Sequence, residues 1–105
     1  MSSSEALARS AAERISIAFD LDEVDNIAPA AVLAHIRAAL TNRIIALLNT
    51  NPEKLMSILY RIDVREDVVN EIFGTAFPPD VPELLADLII ERQLAKARTR
   101  AEHRS

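Results

Sequence analysis

Residues 59–74 of this chain read LYRIDVREDVVNEIFG, and this stretch decides the fold. The pattern predicts the end of one helix, a tight turn and a second helix, as in a helix-turn-helix corner. Asp63 and Glu66 have the spacing of a capping box, so we expect the second helix to start at Asp63. Gly74 is expected to end it, because glycine tolerates the left-handed backbone of a C′ residue. The apolar residues of the second helix are expected to face inward: Val68, Val69, Ile72 and Phe73.

The composition limits the chain to one small helical domain. Its 105 residues match a common domain size, and 50% of them are apolar, which is enough for one core. A single glycine argues against a sheet built on tight hairpins and against glycine-rich phosphate-binding loops. We therefore predict an all-α fold, a small bundle of about four core helices with an N-terminal helix or arm.

Apolar spacing and helix-start residues predict two helices before the corner. After Pro29, apolar residues recur every three or four positions to about residue 49, which predicts a long helix. Asn51 followed by Pro52 predicts the start of the next helix, with Asn51 as the N-cap.

The end of the chain predicts a second long helix. Asp80 and Glu83 have capping-box spacing at the start of a helix over 81–98, and we expect that helix to fray beyond Lys96. The expected organisation has three segments: an N-terminal helix or arm with an acidic linker over 1–28, a helical domain over 29–98, and a basic tail over 99–105.

The first 28 residues allow two interpretations. Ser2 and Glu5 have capping-box spacing, which predicts a helix to about residue 17 followed by an extended arm and a solvated acidic linker. However, apolar and polar residues alternate over 15–21, as they do in a strand. A strand here would be able to exchange between subunits, and the sequence leaves both interpretations open.

The charge of the chain is unevenly distributed. Residues 92–105 carry a net charge of +4 within a total of −4, so the remainder carries −8. Basic residues support a hypothesis of nucleic-acid binding, with contacts from Arg65, Lys96, Arg98 and Arg100. Against it, three of the five exposed positions predicted on the second corner helix are acidic, and carboxylates repel a polyanion. Nucleic acid is therefore the second hypothesis, and a protein partner is the first.

The sequence carries little that predicts catalysis or metal binding. His35 and His103 are the only histidines, and no Glu-x-x-His pair is present for a carboxylate di-metal site. The acidic run over 20–25 lacks the glycine and the terminal glutamate that an EF-hand loop needs. The chain has no cysteine, which excludes disulfides and thiolate ligands. We expect no enzyme activity, no metal and no cofactor.

The two long helices are apolar over more of their circumference than a small domain easily buries. Large exposed apolar patches mark interaction surfaces, which predicts a homo-oligomer or a protein partner. The alternative is a monomer in which the 29–49 helix is central and the other helices cover it. Tyr60 and Arg61 are expected to be half-buried at the margin of the predicted interface, with Arg61 paired to Asp87 or Glu91. The candidate interface residues are Ile45, Leu48, Tyr60, Arg61, Ile90 and Leu94.

The start of the chain lacks a secretory signal pattern, and we expect no apolar run of membrane-spanning length. With the lack of cysteine, these features predict a cytoplasmic protein that does not engage a membrane.

Two segments of the chain, LYRIDV over 59–64 and LADLIIERQ over 85–93, resemble a group of short uncharacterised bacterial helical proteins. The likeness extends over roughly residues 40–98. It implies a bacterial cytoplasmic setting and transfers no activity or binding residue.

Overall fold

The computed structural model describes residues 3–103, with side chains from Ser4 onward. No strand forms within this range, and the predicted all-α fold is confirmed. Short 3₁₀ turns precede the second and the fifth helix at Pro29–Ala31 and Pro78–Asp80. The five helices are α1 (Ser3–Phe19), α2 (Val32–Thr50), α3 (Pro52–Arg61), α4 (Glu66–Thr75) and α5 (Val81–Glu102).

The core forms where α1, α2 and α5 pack against one another, with α3 against α2 and α4 against α5. The buried stripe of α2 follows the predicted spacing through Ile36, Leu40 and Ile44, all within 1% of complete burial. From α5, Leu85 and Ile89 complete the same core. Each such side chain contributes about 1.5–3 kcal/mol by leaving water, which is the main stabilisation available to so small a domain.

The N-terminal segment is helical as far as Phe19, so the expectation of an extended arm after residue 17 is wrong. Ile15 and Phe19 are buried one helical turn apart, whereas Ile17 is 81% exposed. A strand would have placed all three on one face, and the helix instead buries two of them against α2 and α5. The predicted capping box involves Ser2, which lies outside the described residues.

The acidic linker over 20–28 returns along α1 instead of lying free in solvent. Arg9 donates to the Val24 carbonyl at 2.8 Å and to the Ile27 carbonyl at 2.6 Å. The buried hydroxyl of Ser16 donates to the Asp22 carbonyl at 2.8 Å. The carboxylates of the linker are exposed as expected, but its backbone is fixed to the helix.

Two aspartates end helices in the left-handed conformation that usually favours glycine. Asp20 (φ 55°) follows α1, and Asp63 (φ 62°) follows α3. At the end of α1, the Leu21 N–H donates to the Ser16 carbonyl at 2.8 Å. This is the 6→1 hydrogen bond that defines a Schellman motif. Arg43 of α2 donates to the Asp20 carbonyl at 3.0 Å and holds this end in place.

The only glycine lies inside a helix, and the prediction that it forms a C′ residue is wrong. Gly74 has no positive φ, and α4 continues through it to Thr75. Ala76 and Phe77 are extended, and for Phe77 the reason is that Pro78 disfavours helical backbone in the residue before it. Proline, rather than glycine, sets the end of this helix.

Of the three predicted N-caps after Pro29, Asn51 is confirmed, Asp63 is wrong, and Asp80 has the predicted N-cap position without the predicted capping hydrogen bond. The Asn51 side chain accepts from the Lys54 N–H at 3.2 Å. Asp63 ends α3 instead of starting α4, and Glu66 is the first residue of α4. Asp80 closes a 3₁₀ turn that leads directly into α5, and its side chain accepts no capping hydrogen bond.

The expected fraying beyond Lys96 is also wrong, since α5 remains helical to Glu102. Ala97 is buried, and Arg100 donates to the Ser10 hydroxyl of α1 at 3.2 Å. Packing against α1 therefore extends the helix past its last large apolar residue.

The segment Pro29–Thr50 is long and apolar enough to cross a membrane by length and composition, contrary to the expectation that no apolar run has this length. The core helix of a soluble protein passes the same test. Here this segment supplies Ile36, Leu40 and Ile44 to the core.

Candidate functional site

The corner between α3 and α4 is built by a second Schellman motif. The Val64 N–H donates to the Leu59 carbonyl and the Asp63 N–H to the Tyr60 carbonyl, both at 3.2 Å. This motif brings the residue after the turn back onto the last turn of the helix, so Val64 and Leu59 lie side by side. The predicted corner is present, with Asp63 at its apex.

Three side chains of α5 hold this corner from outside, and we call Arg92, Gln93 and Lys96 the clamp. Arg92 donates to the Asp63 carbonyl at 3.0 Å and to its carboxylate at 2.8 Å. Gln93 and Lys96 both donate to the Ile62 carbonyl at 3.3 Å. The two cations of the clamp thus lie at the negative end of the α3 dipole.

The clamp also sets the charge state of the corner. The hydrogen bond from Arg92, followed by the charge of Lys96, lowers the pKa of the Asp63 carboxyl below its ordinary value. The segments 59–64 and 85–93 meet in space at this point, through the hydrogen bonds of Arg92 and Gln93 to Asp63 and Ile62.

An apolar groove lies between α3 and α4 beside the corner. Leu59, Val64 and Val69 are buried and form its floor. Met56 and Tyr60 of α3 and Glu66 of α4 line it as well, around a volume of about 190 Å³. A cavity of about 150 Å³ accepts a benzene ring, whereas drug-sized ligands occupy about 300 Å³ or more. The groove therefore suits one aromatic side chain better than a small-molecule ligand.

Most of the aromatic surface of the chain is outside the core. The chain has one tyrosine, three phenylalanines and no tryptophan, and only Phe19 of these is buried. Tyr60 is 85% exposed and Phe77 is 70% exposed, while Phe73 is exposed to a lesser degree. The expectations that Tyr60 is half-buried and that Phe73 faces inward are wrong.

Arg61 is exposed as well, and its predicted pairing with Asp87 or Glu91 is wrong, since the described residues include no ion pair of Arg61 with either carboxylate. The Asp87 carboxylate instead accepts two hydrogen bonds from Arg37 of α2, at 2.7 and 3.2 Å. Arg61 is not among the buried residues of α3, which are Leu55, Ile58 and Leu59, and its side chain is accessible to solvent.

The apolar interface candidates do not form one exposed patch. Ile90 is buried in the core, and Leu48 and Leu94 are half-buried and packed against it. Ile45 alone among these four is exposed, with 41% of its surface accessible. The wide apolar surface of the two long helices is thus largely covered by α1, which packs against both of them.

The basic candidates are divided between two places. Arg65 is at the start of α4, where it forms an ion pair with Asp67 at 2.7 Å. Lys96 and Arg100 are on α5, where they line a shallow concavity of about 360 Å³ together with Arg92 and Thr99. Arg98 is on the same helix, is exposed and lies outside that lining.

The residues considered for chemistry do not converge on one site. His35 and His103 are both exposed, on α2 and after α5. Within residues 3–103, no three His, Asp or Glu side chains are grouped to hold a metal ion. Comparison of the chain with protein-family models, with curated proteins and with solved structures gives no match.

Proposed function

We propose that this chain is a small non-enzymatic interaction module that self-associates through the groove between α3 and α4. The observation that supports this most is the position of Tyr60, which is almost fully exposed at the rim of an apolar groove. Tyrosine is favoured at the energetic centres of protein interfaces, because it buries a large ring and keeps a polar hydroxyl. In a monomer, a ring that remains in water adds no buried apolar area and so does not stabilise the fold.

A second copy is the partner that fits the groove best. The groove has room for one aromatic ring, and the ring nearest to it that faces solvent belongs to Tyr60 itself. In a two-fold symmetric dimer the same patch is used twice, so each Tyr60 would enter the groove of the other copy. One residue would then be both the anchor and part of the receiving surface.

The charges around the groove support the same arrangement. Glu66 lines the groove, and α3, which forms one of its walls, carries three further exposed charged residues: Glu53, Lys54 and Arg61. A surface of mixed sign complements itself under two-fold rotation, whereas a uniformly charged partner would face like charges. The exposed acids of α4 disfavour a nucleic acid at this corner for the same reason.

Sedimentation equilibrium of the full chain tests the proposal. Tyr60→Ala should weaken dimerisation at least about 30-fold, the loss of a hot-spot residue worth about 2 kcal/mol. Ile17→Ala is the matched control, since Ile17 is 81% exposed on α1 and lies outside the groove. It should leave the dimerisation constant unchanged.

Three results would overturn the proposal. The first is a wild-type chain that stays monomeric at concentrations of hundreds of micromolar, since a functional dimer should form there. The second is an equal weakening of the dimer by Tyr60→Ala and Ile17→Ala, which would mean that association is non-specific. The third is a dimer that neither variant weakens, which would place the interface on another face, such as the one that contains Ile45.

Nucleic-acid association has weaker support. Its candidate residues are split between α4 and α5, and Arg65 is paired with Asp67. The bacterial cytoplasmic setting is supported by the resemblance noted for 59–64 and 85–93 and by the lack of cysteine.

A further inference from the structure

An open cleft lies between α1 and the linker over 20–28 that returns along it. Its lining residues are Glu13, Ser16, Ile17, Glu23, Val24 and Asp25, and we call it the acidic cleft. Ser16 and Val24 are buried and form its floor, whereas Ile17 forms an exposed wall. The acidic cleft shares no residue with the groove between α3 and α4.

The acidic cleft has an apolar part that is open to solvent. Ile17 is 81% exposed, although Ile15 and Phe19 on either side of it in the sequence are buried. The volume of the cleft is about 220 Å³, and a cavity of about 150 Å³ accepts a benzene ring. The cleft therefore has room for one large apolar side chain between Ile17 and Val24.

Three carboxylates surround this apolar part from two sides. Glu13 is on α1, Glu23 and Asp25 are on the linker, and all three are exposed. Within residues 3–103, no cation lies within ion-pair distance of any of them. Arg9, one helical turn before Glu13, instead donates to two backbone carbonyls of the linker, at 2.8 and 2.6 Å. Even with the charges of Arg9 and Arg14 counted, the cleft remains negative, so a cationic partner complements it.

The linker wall of the cleft is held in place by the chain itself. Besides the two hydrogen bonds from Arg9, the buried Ser16 hydroxyl donates to the Asp22 carbonyl at 2.8 Å. A surface that is already ordered loses little conformational entropy when a partner binds. Because the Ser16 hydroxyl is already engaged, recognition rests on the apolar contact and on the carboxylates.

We propose that the acidic cleft docks a basic segment of another protein, in which one large apolar side chain is flanked by lysine or arginine. The apolar side chain packs against Ile17 and Val24, and the flanking cations meet the carboxylates of α1 and of the linker. A small cation alone matches the cleft less well, because it leaves the exposed wall at Ile17 uncovered.

The basic end of this chain does not have the same chemistry. It carries several arginines, but no apolar residue larger than alanine follows Leu94. Arg100 also donates to the Ser10 hydroxyl of α1, so it is engaged within its own copy. A second copy therefore supplies the charge but lacks the apolar side chain, and the occupant belongs to a different protein.

Fluorescence anisotropy of a labelled hexapeptide, Lys-Arg-Leu-Leu-Lys-Arg, titrated with the full chain at low ionic strength, tests the proposal. We expect saturable binding that weakens as sodium chloride is added. A matched peptide with two serines in place of the leucines keeps every charge and should bind at least about tenfold more weakly, because it has no apolar side chain to bury.

Two variants of the protein locate the binding to the acidic cleft. Ile17→Ala should weaken binding of the leucine peptide about tenfold by removing the apolar wall. Glu23→Gln combined with Asp25→Asn should weaken it about fivefold, a factor of about two for each exposed ion pair. All three residues are exposed, and circular dichroism verifies that both variants are folded.

Glu71→Gln combined with Glu91→Gln is the matched control, since it removes two exposed carboxylates that lie outside the cleft. It should change the affinity less than about twofold. Tyr60→Ala should leave peptide binding unchanged, whereas the dimerisation test expects Tyr60→Ala to act and Ile17→Ala to have no effect. Failure of one proposal is therefore distinguishable from failure of the other.

Four results would overturn the proposal of a docking cleft. The first is a lack of saturable binding at up to about 1 mM peptide. The second is equal binding of the serine and leucine peptides, which would mean that charge alone attracts them. The third is an equal loss for the control pair of carboxylates, and the fourth is a loss for Tyr60→Ala, which would place the peptide in the groove between α3 and α4.

Discussion

At the scale of single residues, the structure does not require glycine at position 74. The backbone there is helical, and a Cβ atom built on Gly74 meets no other atom within 4 Å. Glycine in a helix costs free energy because its unfolded chain has more backbone freedom to lose. The position is thus free to carry a side chain.

Gly74→Ala should therefore stabilise the protein by about 0.5–1 kcal/mol, since alanine is the better helix former. In a domain of this size that corresponds to a rise in Tm of roughly 4–8 °C per kcal/mol, measurable by thermal melting. Ala46→Gly, at an exposed position of α2, is the matched reversal and should lower Tm. A fall in Tm for Gly74→Ala would show that the end of α4 needs a flexible residue.

At the scale of helices, the C-terminal ends of α1 and α3 have the same structure. Each has an aspartate in the left-handed conformation, and each aspartate has its carbonyl bound by an arginine from another helix. Aspartate tolerates this conformation better than most residues, and the arginine fixes it from outside. The turn and the packing of neighbouring helices are thereby coupled.

The coupling at Asp63 predicts a pH dependence. A carboxyl whose pKa is lowered by folding stabilises the protein above its unfolded pKa of about 3.9, and this contribution is lost as the pH falls through the folded pKa. Asp63→Asn keeps a residue that tolerates the turn but removes the charge. Its Tm should be lower than that of the wild type at pH 7, and the difference should shrink as the pH falls below the unfolded pKa of about 3.9.

Thermal melts between pH 7 and pH 3 measure this difference. Glu91→Gln removes an exposed carboxylate of α5 beside Arg92 in sequence and serves as the charge control. A gap between wild type and Asp63→Asn that stays constant over the whole range would mean that the charge of Asp63 does not stabilise the corner.

At the scale of the whole molecule, local spacing predicted the helices, and long-range packing decided the rest. The three-and-four spacing of Ile36, Leu40 and Ile44 was sufficient to predict both a helix and its buried face. The role of Asp63 was not predictable from spacing, since aspartate suits both a helix start and a left-handed turn. Its clamp residue Arg92 lies 29 positions away, so local spacing does not predict their contact.

The candidate surface was predictable only in part for the same reason. Tyr60 was identified from the sequence, but its exposure depends on which side of α3 meets α2. Ile45 and Ile90 looked alike as apolar residues on long helices, and only the packing of α1 separates them. Ile90 is buried, whereas Ile45 faces solvent.

This difference predicts opposite outcomes for the same substitution. Ile90→Glu buries an unpaired carboxylate and should destabilise the fold by about 4 kcal/mol or more, a large share of the stability of a small domain. Ile45→Glu should leave the helical circular dichroism and the Tm nearly unchanged. A cooperative, fully helical Ile90→Glu variant would contradict the assignment of Ile90 to the core.

The exposed position of Tyr60 has a spectroscopic consequence. It is the only tyrosine of a chain without tryptophan, so the near-ultraviolet emission of the protein comes from this one side chain. Because the ring is already in water in the single copy, unfolding will change its signal little, while entry into a second copy's groove will change it substantially. The chain thus carries its own optical reporter, which is insensitive to folding and specific for association.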